Sequence, residues 1–339
     1  MDRRATLSLG ISALTLLASG ALAENMDEDG RIATDSTEIV PLWTGVPPGG
    51  EKVAAKTTVR EASPTPDQFH NRVVVSVATP LLTVYRAVAP NGSALLLIPG
   101  GGYGIELIDR EGIETARLFN RAGITCFILR YRLPEQGWAD GADTPLQDAQ
   151  RAMRLIRANA ATFGVNPAKI GVIGFSAGGH LAASLATRFN AKVYTPRDSA
   201  DSQDAKPSIV ALLFPVITMG DGTDSGTRTN LLGKMPAPEA ILAYSCDKHV
   251  PADAPPSFIC LAADDPIASP TANGIAMYHA LRAVGVASEL HVFEQGGHGF
   301  GVWNAAGKSF AAWPQLFLQW GASHGFITMT PPEAAHFAL

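Results

Sequence analysis

The chain has 339 residues, of which 46% are hydrophobic and 17% charged, with a formal net charge of −5. That composition fits a globular protein with a sizeable core and excludes the disordered and fibrous classes. No long Lys or Arg run supplies the basic footprint of a nucleic-acid-binding protein, so small or neutral partners are expected.

The first 23 residues open with Arg3 and Arg4, continue through an apolar stretch from about Leu7 and end at Ala21-Leu22-Ala23. This is the plan of a secretory signal peptide with an A-x-A cleavage site, and it predicts a periplasmic or secreted protein. Gly and Ser dilute the stretch, which falls short of the roughly 20 apolar residues of a membrane span, so no stable membrane anchor is expected. An arginine pair alone does not separate twin-arginine from Sec export. Residues 24–72, which include "PLWTGVPPGG", read as extended chain packed on a single domain covering residues 24–327, with residues 328–339 as a C-terminal tail.

From Val73 onward, short apolar runs alternate with helical patterns: "VVVSVA", "LLTVYRA", "ALLLIPG", "ITCFILRY", "KIGVIGF", "SIVALLF", "FICLAA" and "ELHVFE". Runs of this kind suit strands buried on both faces. The predicted class is α/β: a mostly parallel central sheet flanked by helices on both faces, with no large lid domain. The third run leads into "PGGGYGIEL", whose bare backbone amides can cradle a phosphate or form an oxyanion hole. The phosphate reading weakens because "GGGYGIE" does not complete G-x-G-x-x-G and no G-K-[ST] follows.

In "TPLQDAQRAMRLIRANAATFG", Thr144 is read as the helix cap, Pro145 as its first position and Gln147 as the partner in a capping box. Ala149, Ala152, Met153, Ile156 and Ala160 share one face, opposite Arg151, Arg154 and Arg157. Next comes "KIGVIGFSAGGHLAA", a G-x-S-x-G centred on Ser176 between an apolar strand and an Ala-rich helix. A nucleophile elbow needs small residues two before and two after the Ser, because the strand-to-helix turn is tight. The helix N-terminus then directs amide N–H groups at developing negative charge.

Residues 217–256 read as a loop-rich insertion, the expected place for substrate contacts. An unactivated hydroxyl needs a base, and the base an orienting acid. In "FICLAADDPIASP", Asp264 and Asp265 both follow a strand; Asp265 is preferred because the Pro-Ile after it resembles a D-x-x-V pattern. The base falls to His298 in "QGGHGFG", a Gly-flanked loop before the last helix, which carries an internal Pro314. His180, one turn beyond Ser176, reads as a packing residue. Cys126 and Cys260 sit in apolar runs as small buried hydrophobes, and no pair of Cys or His has metal-ligand spacing.

With glycine loop, elbow, acid and base in this order, the chain resembles the α/β-hydrolase superfamily. The phrases "PGGGYGIELIDREG", "FILRYRLP", "GFSAGGHLA", "FPVITM" with "TNLLG", "AADDP" and "GGHGFG" make it similar to bacterial carbohydrate-esterase-type, acetylxylan esterase-like members. The resemblance implies a serine esterase that hydrolyses small acyl esters, typically acetyl groups on xylan-derived or other sugars, without cofactor or metal. A small-molecule or oligosaccharide ester is then the partner. The triad is expected to be Ser176, Asp265 and His298, and the oxyanion hole the amides of Gly101, Gly102 and Ala177. Tyr103 and Trp303 are expected to contact substrate, while Phe300 and Trp303 could equally pack against the last helix. Glu106, Asp109 and Arg110 either meet sugar hydroxyls or cap a helix start. A short-chain or feruloyl-type esterase, a serine peptidase and a non-catalytic binding protein are the alternatives. A peptidase usually carries a propeller or large lid, for which the chain has no room, and a binding protein is expected to lose a triad member. "AYSCDKHV", around Cys246, matches no functional role in that pattern.

Overall fold

The computed structural model describes residue 26, residues 30–303 and residues 305–328. The expected signal peptide and the tail beyond residue 328 lie outside the described residues. In chain order the strands are β1 (Ile39–Pro41), β2 (Thr58–Glu61), β3 (Arg72–Ser76), β4 (Leu81–Tyr85), β5 (Ala94–Ile98), β6 (Glu106–Leu107), β7 (Thr125–Arg130), β8 (Ile170–Phe175), β9 (Val210–Leu213), β10 (Ser257–Ala262) and β11 (Ser288–Phe293). The helices are α1 (Glu114–Arg121), α2 (Thr144–Ala158), α3 (Ala160–Phe163), α4 (Ser176–Arg188), α5 (Ser225–Leu232), α6 (Pro238–Ala243), α7 (Ala276–Ala283) and α8 (Trp313–Ser323).

Eight strands form one sheet in the order β1-β4-β7-β5-β8-β9-β10-β11, antiparallel at β1/β4 and β4/β7 and parallel from β7 onward. The uninterrupted apolar runs have the expected cause. In β5 no side chain is exposed, and alternate residues feed two separate cores. Leu96 and Ile98 join Met153, Ile156, Leu181 and Leu281 of α2, α4 and α7. Leu95 and Leu97 join Phe119, Trp313, Phe317 and Trp320 of α1 and α8 on the other face. A small antiparallel sheet, β2-β3-β6, lies apart from the large one.

The segment ahead of β3 is not extended chain alone. It supplies the edge strand β1 and the strand β2. Two polar clamps tie it down: Arg72 is paired with Asp35 and Asp109, all three side chains nearly inaccessible, and Trp43 Nε1 donates to Asp148 Oδ1 at 2.7 Å.

Three local expectations are corrected. The capping box at α2 does not form: the helix begins at Thr144 without a side-chain cap, and Gln147 instead donates to Asp140 and Val193 while accepting from Arg132. Arg151 is not on a solvated face but 2% exposed, paired with Asp198 and Asp201 from the loop that covers it. Pro314 is not internal either. It stands in the first turn of α8, where its missing N–H would have had no intrahelical partner. The insertion at 217–256, read as loop-rich, carries α5 and α6.

Candidate active site

Strand β8 ends at Phe175 in extended conformation, and Ser176 begins α4 with φ of 50°, a left-handed value rare for a residue with a side chain. Such a turn leaves no room for neighbours. A Cβ at Gly174 would stand 2.2 Å from the Gly178 carbonyl oxygen, and one at Gly178 would stand 2.2 Å from that of Ile98. Only glycine fits at either place, which is the physical content of the G-x-S-x-G spacing.

The loops after β10 and β11 bring two further side chains to this turn. The Ser176 hydroxyl lies 2.7 Å from His298 Nε2, and His298 Nδ1 lies 2.7 Å from Asp265 Oδ2. With a carboxylate as acceptor, Nδ1 carries the proton and Nε2 is left to accept from Oγ–H. Burial pushes the Asp265 carboxyl up, but the His298 hydrogen bond and charge, with the Ile267 and Ala268 amides, outweigh it and hold the carboxyl below its ordinary range. Asp264 has a different position: its Oδ1 accepts from the Gly296 and Gly297 amides at 2.9 and 2.7 Å, fastening the Asp265 loop to the His298 loop. The His298 ring rests edge-on against Phe214, at 5.2 Å between centroids.

The glycine loop lies beside the elbow and is held at both ends. The Gly100 amide donates to Glu111 Oε2 at 2.6 Å, and the Gly102 carbonyl accepts from Asn230 Nδ2 of α5 at 2.8 Å. Between these anchors, Gly101 has φ of 127°, and a Cβ there would stand 2.3 Å from the Ile105 carbonyl oxygen. Among the described residues the Gly101 and Gly102 amides meet no acceptor. Ala177, in the first turn of α4, has an N–H with no intrahelical acceptor. These donors and the Ser176–His298–Asp265 chain form an arrangement able to carry out acyl transfer.

Tyr103 is corrected from a substrate-contacting side chain to a buried one. It is 1% exposed, and its hydroxyl donates to His180 Nδ1 at 2.8 Å. His180 in turn donates from Nε2 to the Tyr244 carbonyl, and burial pushes its pKa down to about 4, so the ring is neutral. Glu106 and Asp109 neither face solvent nor cap a helix. Glu106 accepts the Tyr131 amide, and burial pushes its carboxyl well above the ordinary range despite Arg130 and that bond. Phe300 is buried against Phe214 and Phe310. Trp303 is 36% exposed, with the Arg110 guanidinium 4.3 Å from its centroid and Phe69 stacked at 5.4 Å. All three cysteines are buried and free, with Cys246 beside the Ser184 hydroxyl. Among the described residues no group of His, Cys, Asp and Glu is arranged to hold a metal. Sequence reasoning named neither Glu111 nor Asn230, although both stand in phrases that carry the resemblance, "PGGGYGIELIDREG" and "TNLLG".

A family model described as BD-FAE matches residues 86–281, more than half of the chain. The chain belongs to the BD-FAE family. The matched span of this BD-FAE member includes the glycine loop, Ser176 and Asp265. The chain is 32% identical over 216 residues to an acetylxylan esterase of Xylanibacter ruminicola, covering 62% of this chain and 42% of that protein. It is 34% identical over 245 residues to endo-1,4-beta-xylanase B of Butyrivibrio fibrisolvens, covering 72% of this chain and 36% of that protein. The BD-FAE member thus spans less than half the length of these two curated relatives. Its fold is that of the α/β-hydrolases. A crystal structure of an acetyl ester-xyloside bifunctional hydrolase from Caldicellulosiruptor lactoaceticus superimposes with a TM-score of 0.71 at 28% identity, covering 87% of this chain and 98% of that one.

Proposed function

We propose that the protein is a serine carboxylic ester hydrolase that removes acetyl or other small acyl groups from xylan-derived or other carbohydrates. The observation that carries this reading is the Ser176–His298–Asp265 chain, with both links at 2.7 Å, beside a glycine loop with two amides that meet no acceptor among the described residues. The relatives support the substrate class: one is an acetylxylan esterase, and the solved neighbour acts on acetyl esters and xylosides.

In this mechanism His298 takes the Ser176 proton as Oγ attacks the ester carbonyl. Asp265 keeps the imidazole in the tautomer that can accept, then faces the imidazolium. The amides of Gly101, Gly102 and Ala177 receive the alkoxide. His298 returns the proton to the departing sugar hydroxyl, and the acyl-Ser176 ester is cleaved by water that the same histidine activates. Trp303, beside Arg110 and Phe69, meets the sugar. The first 23 residues act as a cleaved signal peptide that delivers the enzyme to the periplasm or the exterior.

Hydrolysis of p-nitrophenyl acetate is the first test, with Ser176→Ala expected to abolish it; a folded wild-type protein without that activity rules the reading out. Acetylated xylo-oligosaccharides, feruloyl esters and simple acetyl esters are then compared on one preparation. Equal efficiency on all three would count against a dedicated glycan esterase.

A further inference from the structure

Glu111 is an acid that the mechanism above leaves unused. It lies on a wide, π-type turn, Ile108–Ile113, that leads into α1. Such turns are rare and frequent at functional sites. This one directs two acids inward: Asp109 to Arg72, and Glu111, 2% exposed, to the glycine loop. Gly100 stands between Glu111 and the nucleophile. A Cβ built on Gly100 would be 2.9 Å from Ser176 Cβ and 3.1 Å from Glu111 Oε2. A carboxylate placed so deep is costly unless something there uses it.

Resting on the esterase reading, we propose that Glu111 is a positioning residue for acyl transfer. It holds the glycine loop through Gly100, so that the Gly101 and Gly102 amides converge on the alkoxide. The charges that act on Glu111 are those of Arg110 on its own turn and His298 from the loop after β11, and its own charge acts on the buried Tyr131 hydroxyl after β7. Burial pushes the Glu111 carboxyl up to about 7, against the Gly100 hydrogen bond and the charges of His298 and Arg110.

The test is steady-state hydrolysis of p-nitrophenyl acetate by wild type, Glu111→Ala and Glu111→Gln, with near-UV circular dichroism verifying the fold. Glu111→Ala should lower kcat by about tenfold or more with KM within about threefold, as for a contact felt mainly in the transition state. Glu111→Gln keeps an oxygen that accepts from Gly100, so kcat should return to within a few-fold of wild type. A folded Glu111→Ala with wild-type kcat, or a folded Glu111→Gln whose kcat stays as low as that of Glu111→Ala, overturns the proposal. A wild type with no turnover at all sinks the esterase reading instead, so the two failures are told apart.

Discussion

Asp264 and Asp265 are adjacent in sequence and do different work, which makes them a sharp comparison. Asp265→Asn should leave the fold intact yet lower kcat by about 10³-fold or more, because the amide no longer fixes the imidazole tautomer. Asp264→Ala should spare most of the chemistry and cost about 0.5–1.5 kcal/mol of stability, because the partly exposed Gly296 and Gly297 amides exchange their carboxylate acceptor for water. Ester kinetics and urea melts on both variants separate the outcomes. Glu111 has its own signature in stability. Its carboxyl stands at about 7 against an ordinary 4.5, so between those values the native state keeps a proton that the unfolded chain releases. Stability from this group is therefore complete below about pH 4.5 and is lost as pH rises through about 7, by up to about 3 kcal/mol. Glu111→Gln should lack that decline when urea melts at acid and mildly alkaline pH are compared. The convergence of Ser176, Asp265 and His298 was legible because each lies in a short motif whose glycines or prolines fix the local backbone. Glu111 and Asn230 were not legible, because each acts on a glycine-loop backbone group far from it in the chain, 11 and 128 residues away.

Among the elements, strands β5, β7, β8, β9 and β10 could be read directly, since a run buried on both faces leaves few polar positions to blur it. Strands β1 and β2 could not, because β1 is three residues long and both are defined by partners that lie later in the chain. Helix α2 misled for a related reason. Arg132, Asp198 and Asp201 recruit Gln147 and Arg151, and tertiary pairing overrides the local pattern. Helix α5 carries a consequence for chemistry. Through Asn230 it holds the Gly102 carbonyl, so the insertion acts on the glycine loop as well as on whatever substrate it meets. Asn230→Ala should reduce kcat by about tenfold with little change in KM, since a displaced donor weakens alkoxide binding more than ester binding. Steady-state kinetics on a simple acetyl ester check this free of any sugar contact, and an unchanged kcat would confine α5 to packing.

On the scale of the whole molecule, the two halves of the reactive chain rest on unequal supports. Ser176 follows β8, in mid-sheet and wholly buried, whereas His298 follows β11, an edge strand paired only with β10 and partly exposed along its length. Edge elements with few buried side chains open at lower free energy than the core. Esterase activity should therefore disappear at a lower urea concentration than far-UV circular dichroism or tryptophan fluorescence, and superimposed transitions would show that the strand does not open by itself. The consequence concerns durability in use. If activity is lost first, the interval over which the protein stays competent is set by fraying at its rim, and its central sheet outlasts its chemistry. Reinforcing β11 would lengthen that interval where further packing of the central sheet would not.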